Sequence, residues 1–74
     1  MARMFNRDIH PGITPEIALE RAIKAVGGPT ALGRLLGISA AAVVQWGIVP
    51  PLKVLEVERI TGVPKELLRP DLYR

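Results

Sequence analysis

Apolar residues recur along this chain with the spacing of α-helices, and no stretch alternates with the two-residue period of a strand. The clearest stripe lies at i, i+3, i+4 and i+7 before a glycine pair and consists of Leu19, Ala22, Ile23 and Val26. Prolines and glycines divide the chain into predicted helices at about 14–26, 29–36, 40–46, 51–61 and 64–69. The pattern therefore predicts an all-α fold of five short helices without a sheet.

The two predicted helices within residues 29–46 have the most distinctive connection. Gly37 interrupts the apolar pattern where the chain must reverse, and a left-handed conformation there would cost a residue with a Cβ about 1–2 kcal/mol. Ser39 is placed to cap the following helix by accepting a hydrogen bond from a backbone N–H. Gly33 is the small residue that a close crossing of the two helices requires. This spacing is typical of a helix-turn-helix.

Length limits the chain to one domain, because 74 residues are near the lower size at which a single core sustains a fold. We predict a helical domain over 14–74, with the helix-turn-helix at about 29–46, and a flexible N-terminal arm over 1–13. The chain has no cysteine, which excludes a disulfide and a thiolate metal site.

Charge gives a mild preference for a polyanionic partner, because the formal net charge is +3 and the isoelectric point is near 10.0. The first residues are charged where a signal peptide would be apolar, and no apolar run is long enough to cross a bilayer. We therefore expect a soluble, cytoplasmic protein without a membrane partner.

The residues needed for catalysis are missing from the sequence. Its single histidine, His10, lies in a predicted turn without partners at metal-ligand spacing. The glycine pair at 27–28 lacks the preceding strand and following lysine of a phosphate-binding loop. We expect no enzyme, no cofactor, no metal ion and no small-molecule ligand.

Three segments carry a resemblance to a known family: Ala-Leu-Gly-Arg-Leu-Leu-Gly-Ile-Ser at 31–39, Ala-Val-Val-Gln-Trp at 42–46 and Leu-Arg-Pro-Asp-Leu-Tyr at 68–73. Over about residues 17–73 the chain resembles the Cro-like and YdaS-like regulators of lambdoid prophages. The resemblance implies an all-helical, lambda-repressor-like domain that binds double-stranded operator DNA, usually as a homodimer, and represses transcription.

Candidate DNA contacts follow from the way a recognition helix enters the major groove with its N-terminal end first. The candidate base contacts, on the helix that begins at Ser39, are Ser39, Ala40, Ala41, Val44 and Gln45. Gln45 alone among them can form two hydrogen bonds with an adenine edge, which is worth about 1–3 kcal/mol of discrimination. The candidate phosphate contacts are Pro29, Thr30, Arg34 and Lys53.

The fourth predicted helix is apolar on more than one face, which leaves two interpretations. It packs beneath both the core and the last helix, or one face meets a second copy of the chain. The residues of the possible dimer surface are Leu52, Val54, Leu55 and Val57.

The predicted recognition helix is poor in hydrogen-bonding side chains, which keeps a second functional class open. In that alternative the chain is a protein-interaction module with a helix-turn-helix fold, such as a component of a toxin–antitoxin-like prophage pair.

Overall fold

A computed structural model describes residues 12–73. These residues contain five α-helices. Their bounds are α1 Pro15–Ala25, α2 Pro29–Leu36, α3 Ala40–Gln45, α4 Val54–Thr61 and α5 Lys65–Leu68. A 3₁₀ turn, Pro51–Lys53, precedes α4, and none of the described residues lies in a strand. The predicted all-α fold of five helices is confirmed.

The ends of the helices follow the capping signals in the sequence. The Thr14 side chain accepts a hydrogen bond from the Ile17 N–H at 3.2 Å, and the Ser39 hydroxyl accepts one from the Ala42 N–H at 3.1 Å. Pro29 occupies the first position of α2, where its missing N–H removes no helical hydrogen bond. The predicted starts of the first three helices are therefore confirmed.

The core receives apolar side chains from all five helices, and α1 contacts α2, α4 and α5. Two alanines of α1 are completely buried, which lets the neighbouring helices approach it closely. The buried residues are Ala18, Leu19, Ala22, Leu32, Leu36, Val43, Val49, Val54, Val57, Val63, Leu67 and Leu68. None of the described helices is long and apolar enough to cross a membrane.

The fourth helix starts later than the sequence suggests, at Val54 rather than Pro51. A proline restricts the residue before it to extended conformations, and Pro50 accordingly has φ −62° and ψ 149°. The chain first forms one 3₁₀ turn, closed by a 2.9 Å hydrogen bond from the Lys53 N–H to the Pro50 carbonyl. Only then does the α-helical pattern begin.

Two of the four residues predicted for a dimer surface are buried. Val54 and Val57 lie three positions apart on one face of α4 and have no exposed surface. They belong to the core beneath α1 and α5, which agrees with the first of the two interpretations and removes these two residues from the possible dimer surface. Leu52 and Leu55 are 94% and 56% exposed and remain accessible.

Both ends of the described chain pack against the core. Ile13, assigned to the predicted arm, is half-buried against the core, while residues 1–11 of that arm lie outside the described residues. The tail after α5 forms a turn, in which the Leu72 and Tyr73 N–H groups both donate to the Arg69 carbonyl at 3.0 Å. Tyr73 packs against the core.

Candidate nucleic-acid interface

The turn between α2 and α3 is defined by two backbone hydrogen bonds and a left-handed glycine. Gly37 has φ 76° and ψ 27°, a conformation that favours glycine. The Ile38 N–H donates to the Gly33 carbonyl at 2.8 Å, and the Gly37 N–H donates to the Arg34 carbonyl at 3.3 Å. This ending satisfies carbonyls of the last turn of α2 and turns the chain into α3.

Gly33 lets the start of α3 lie directly on α2. A Cβ at this position would be 2.7 Å from the carbonyl oxygen of Ile38 and 3.1 Å from that of Ser39. Both neighbours are backbone atoms, which cannot move aside as a flexible side chain can. The predicted need for a small residue is confirmed, and the close neighbour is the backbone of the turn itself.

α3 turns one residue into the core and most of the predicted base-contact residues outward. Val43 is completely buried, which fixes the rotation of the helix about its axis. Four of the five predicted residues are exposed and the fifth, Ala40, is half-buried; the exposed ones are Ser39, Ala41, Val44 and Gln45. The exposed face of this helix carries no charged side chain.

The predicted phosphate contacts fall on two different elements. Thr30 and Arg34 are exposed and lie four positions apart on α2, so they are neighbours on one face. Pro29 begins the same helix but has no N–H, which leaves the uncapped amides after it, including that of Thr30, as the donors there. Lys53 is half-buried in the 3₁₀ turn before α4.

A groove of about 290 Å³ lies between α1 and α3. The sequence pattern does not predict this groove, although two of the residues that line it are acidic. Val44 and Trp46 line it from the α3 side, Glu16 and Glu20 from the α1 side, and Pro29 from the start of α2. Two carboxylates thus lie close to residues predicted to contact DNA. At such positions they oppose the approach of phosphates.

Hydrogen bonds from Arg69, which the sequence did not predict, connect the tail to the segment after α3. Arg69 donates to both carboxylate oxygens of Asp71, at 3.0 and 2.7 Å, and to the carbonyl oxygen of Val49 at 3.0 Å. The hydrogen bonds from Arg69 hold the pKa of the Asp71 carboxyl below its usual value. In the sequence, the feature that could have predicted this ion pair is the placement of opposite charges, Arg69 and Asp71, on either side of Pro70.

Among residues 12–73, no cluster of three or more histidine or acidic side chains could hold a metal ion. The exposed face of α3 is uncharged, and α2, against which it packs, carries the exposed Thr30 and Arg34.

Comparison with known proteins gives two matches. The model of the protein family described as bacterial toxin YdaS matches residues 19–74. The gene 30 protein of Enterobacteria phage phi80 is 35% identical over 60 residues, which are 74% of this chain and 82% of that protein. No solved structure matched the chain.

Proposed function

The chain belongs to the YdaS family, and we propose that it is a sequence-specific DNA-binding regulator. In this proposal α3 enters the major groove of double-stranded operator DNA, and the chain represses transcription in the manner of a Cro-type phage regulator. Two copies bind a partly palindromic site, with their recognition helices about 34 Å apart, which is one turn of the DNA helix.

The observation that carries the proposal is the way α3 projects from the fold. Its only completely buried residue is Val43, and its start is held against α2 at Gly33. The side chains of Val44 and Gln45 therefore point away from the core on a short helix with a rigid attachment. A helix presented in this way fits the width of a major groove.

Direct reading of bases would depend on few groups. Gln45 can form paired hydrogen bonds to adenine, while Ala41 and Val44 offer only apolar contacts, which suit thymine methyl groups. Arg34 and Thr30 would fix the register through phosphates. We expect DNA shape and deformability to supply part of the specificity.

One observation favours the second candidate, a protein-interaction module. Val44 is 65% exposed on a helix face without charge, and apolar surface of this kind also suits a protein partner. The matched family is described as a toxin, which names no target molecule.

The test is selection of bound duplexes from a random DNA pool, followed by a salt titration of the best binder. We expect a symmetric motif, and log affinity that falls with log salt by about 0.9 per phosphate contact. Failure to enrich a motif, together with salt-insensitive binding to a protein, would favour the interaction module.

A matched pair of variants adds a local test. Arg34→Gln should weaken binding to all sequences and reduce the salt slope by about 1. Arg59→Gln removes a charge that is also exposed but lies on α4, outside the α2–α3 surface, and should leave the slope unchanged.

A further inference from the structure

The groove between α1 and α3 has an apolar floor and one acidic wall. Ile23 and Trp46 contribute apolar surface, and Glu16 and Glu20 lie one helical turn apart along α1. Among residues 12–73, no cation forms an ion pair with either carboxylate. Two unpaired carboxylates beside apolar surface suit a segment that has both basic and large apolar side chains.

We propose that residues 1–11 of this same chain bind in this groove, with arginines beside the acidic wall. The segment carries two arginines, Arg3 and Arg7, to meet the two glutamates. The same segment has large apolar side chains, which are Met4, Phe5 and Ile9. Its charge and hydropathy therefore complement the groove.

Residues 1–11 can reach the groove because of where they join the domain. Residues 1–11 join the described chain at Gly12, next to the start of α1 and therefore near Glu16. The α1 wall from Glu16 to Ile23 rises about 10 Å, and five extended residues span about 17 Å. A short tether also gives a high effective concentration, so weak contacts suffice for occupancy.

Trp46 provides a direct readout, because it is the chain's single tryptophan and it lines the groove. A bound segment shields its indole ring from small quenchers in solution. The signal does not depend on DNA, so this proposal and the proposed function can fail separately.

The experiment compares acrylamide quenching of Trp46 in the full chain and in three variants. Arg3→Glu/Arg7→Glu should raise the quenching constant, by about twofold, as expected when solvated ion pairs of modest strength are lost. Phe5→Ser should also raise it while preserving the charges. Arg21→Glu/Arg59→Glu makes the same charge change at exposed positions outside the groove and should have no effect.

A charge exchange tests the pairing itself. Adding Glu16→Arg/Glu20→Arg to the Arg3→Glu/Arg7→Glu chain should restore the low quenching of the native protein. Unchanged quenching in both the arginine and Phe5→Ser variants, with unchanged helical circular dichroism, would overturn the proposal. Quenching that varies with protein concentration would also overturn it, by showing that a second copy fills the groove.

Discussion

The α2–α3 unit and the segment from Val49 to Tyr73 are held in place by different kinds of contact. In the first, the arrangement depends on backbone geometry: a left-handed Gly37 and the close approach at Gly33. In the second, side chains bind backbone groups across turns, with Arg69 on the Val49 carbonyl and Glu58 accepting from the Lys65 N–H at 2.9 Å. Although the outward Ser39 side chain caps α3, other outward side chains of this unit, such as Val44 and Gln45, are free of any part in its folding.

This difference predicts where each region tolerates change. In the α2–α3 unit, glycines are sensitive and outward side chains such as Gln45 are free to vary without loss of stability. In the later segment, Arg69 binds the Val49 carbonyl, so its replacement should destabilise the fold, and replacement of its exposed partner Asp71 should have a smaller effect.

The largest expected effect is that of Gly33→Ala. Alanine normally stabilises a helix relative to glycine, but here its Cβ would be 2.7 Å from the Ile38 carbonyl oxygen. We expect the clash to lower the free energy of unfolding by about 1–3 kcal/mol, measured by urea denaturation.

Gly47→Ala is the matched control, because a Cβ there meets no atom within 4 Å and the backbone is not left-handed. It should change stability little. Equal stability of the two variants would show that α3 does not depend on close contact at Gly33.

The next effect concerns the outward face of α3. Gln45→Ala should relax base preference at one position of each half-site by about 1–3 kcal/mol, measured with single-base variants of the selected duplex. Because Gln45 is exposed, we expect the unfolding midpoint to stay unchanged. Unaltered base preference would remove Gln45 as a reading residue.

Acid should weaken the later segment through Asp71. Its pKa is lowered in the folded protein by the hydrogen bonds from Arg69, so its stabilisation is complete above the ordinary aspartate pKa of 3.8. The stabilisation is lost as the pH falls through the lower folded-state pKa. Asp71→Asn should therefore melt at a lower temperature than the native chain at pH 7.

The difference in melting temperature between the native chain and Asp71→Asn should shrink in acid, because protonated aspartic acid resembles asparagine in lacking charge. Thermal melts of both proteins across this pH range measure it. Arg69→Lys retains the charge but loses the planar pair of donors, and it should also melt early at pH 7. A difference that does not depend on pH would exclude the ionised pair as its cause.

Local signals made much of the fold predictable. The caps at Thr14 and Ser39 and the turn at Gly37 each depend on a few neighbouring residues, and the structure has all three. On α3 the structure adds one anchor, because the buried Val43 fixes which residues of this short helix face away from the core.

The parts that the sequence did not reveal depend on contacts between distant residues. Arg69 and Val49 are 20 positions apart, and no spacing rule relates them. The groove joins Glu16 and Glu20 of α1 to Trp46, which only the packed fold brings together. For the apolar residues of α4 the sequence left two interpretations open, because the choice of buried face depends on where α1 and α5 lie.

The smallest effect on the fold is expected at Leu52 and Leu55, the exposed remainder of the predicted dimer surface. A stable dimer buries about 800 Å² on each partner, more than two leucines provide, so we expect weak association in the absence of DNA. Leu52→Ser/Leu55→Ser should leave monomer stability nearly unchanged, since neither side chain is buried.

The same variant should reduce self-association in sedimentation experiments and the cooperativity of operator binding. Leu72→Ser, an exposed leucine in the tail, is the matched control and should alter neither. Cooperative binding that survives the double substitution would place the contact between copies elsewhere on the domain. It would also mean that the exposed leucines on this side do not serve the homodimer.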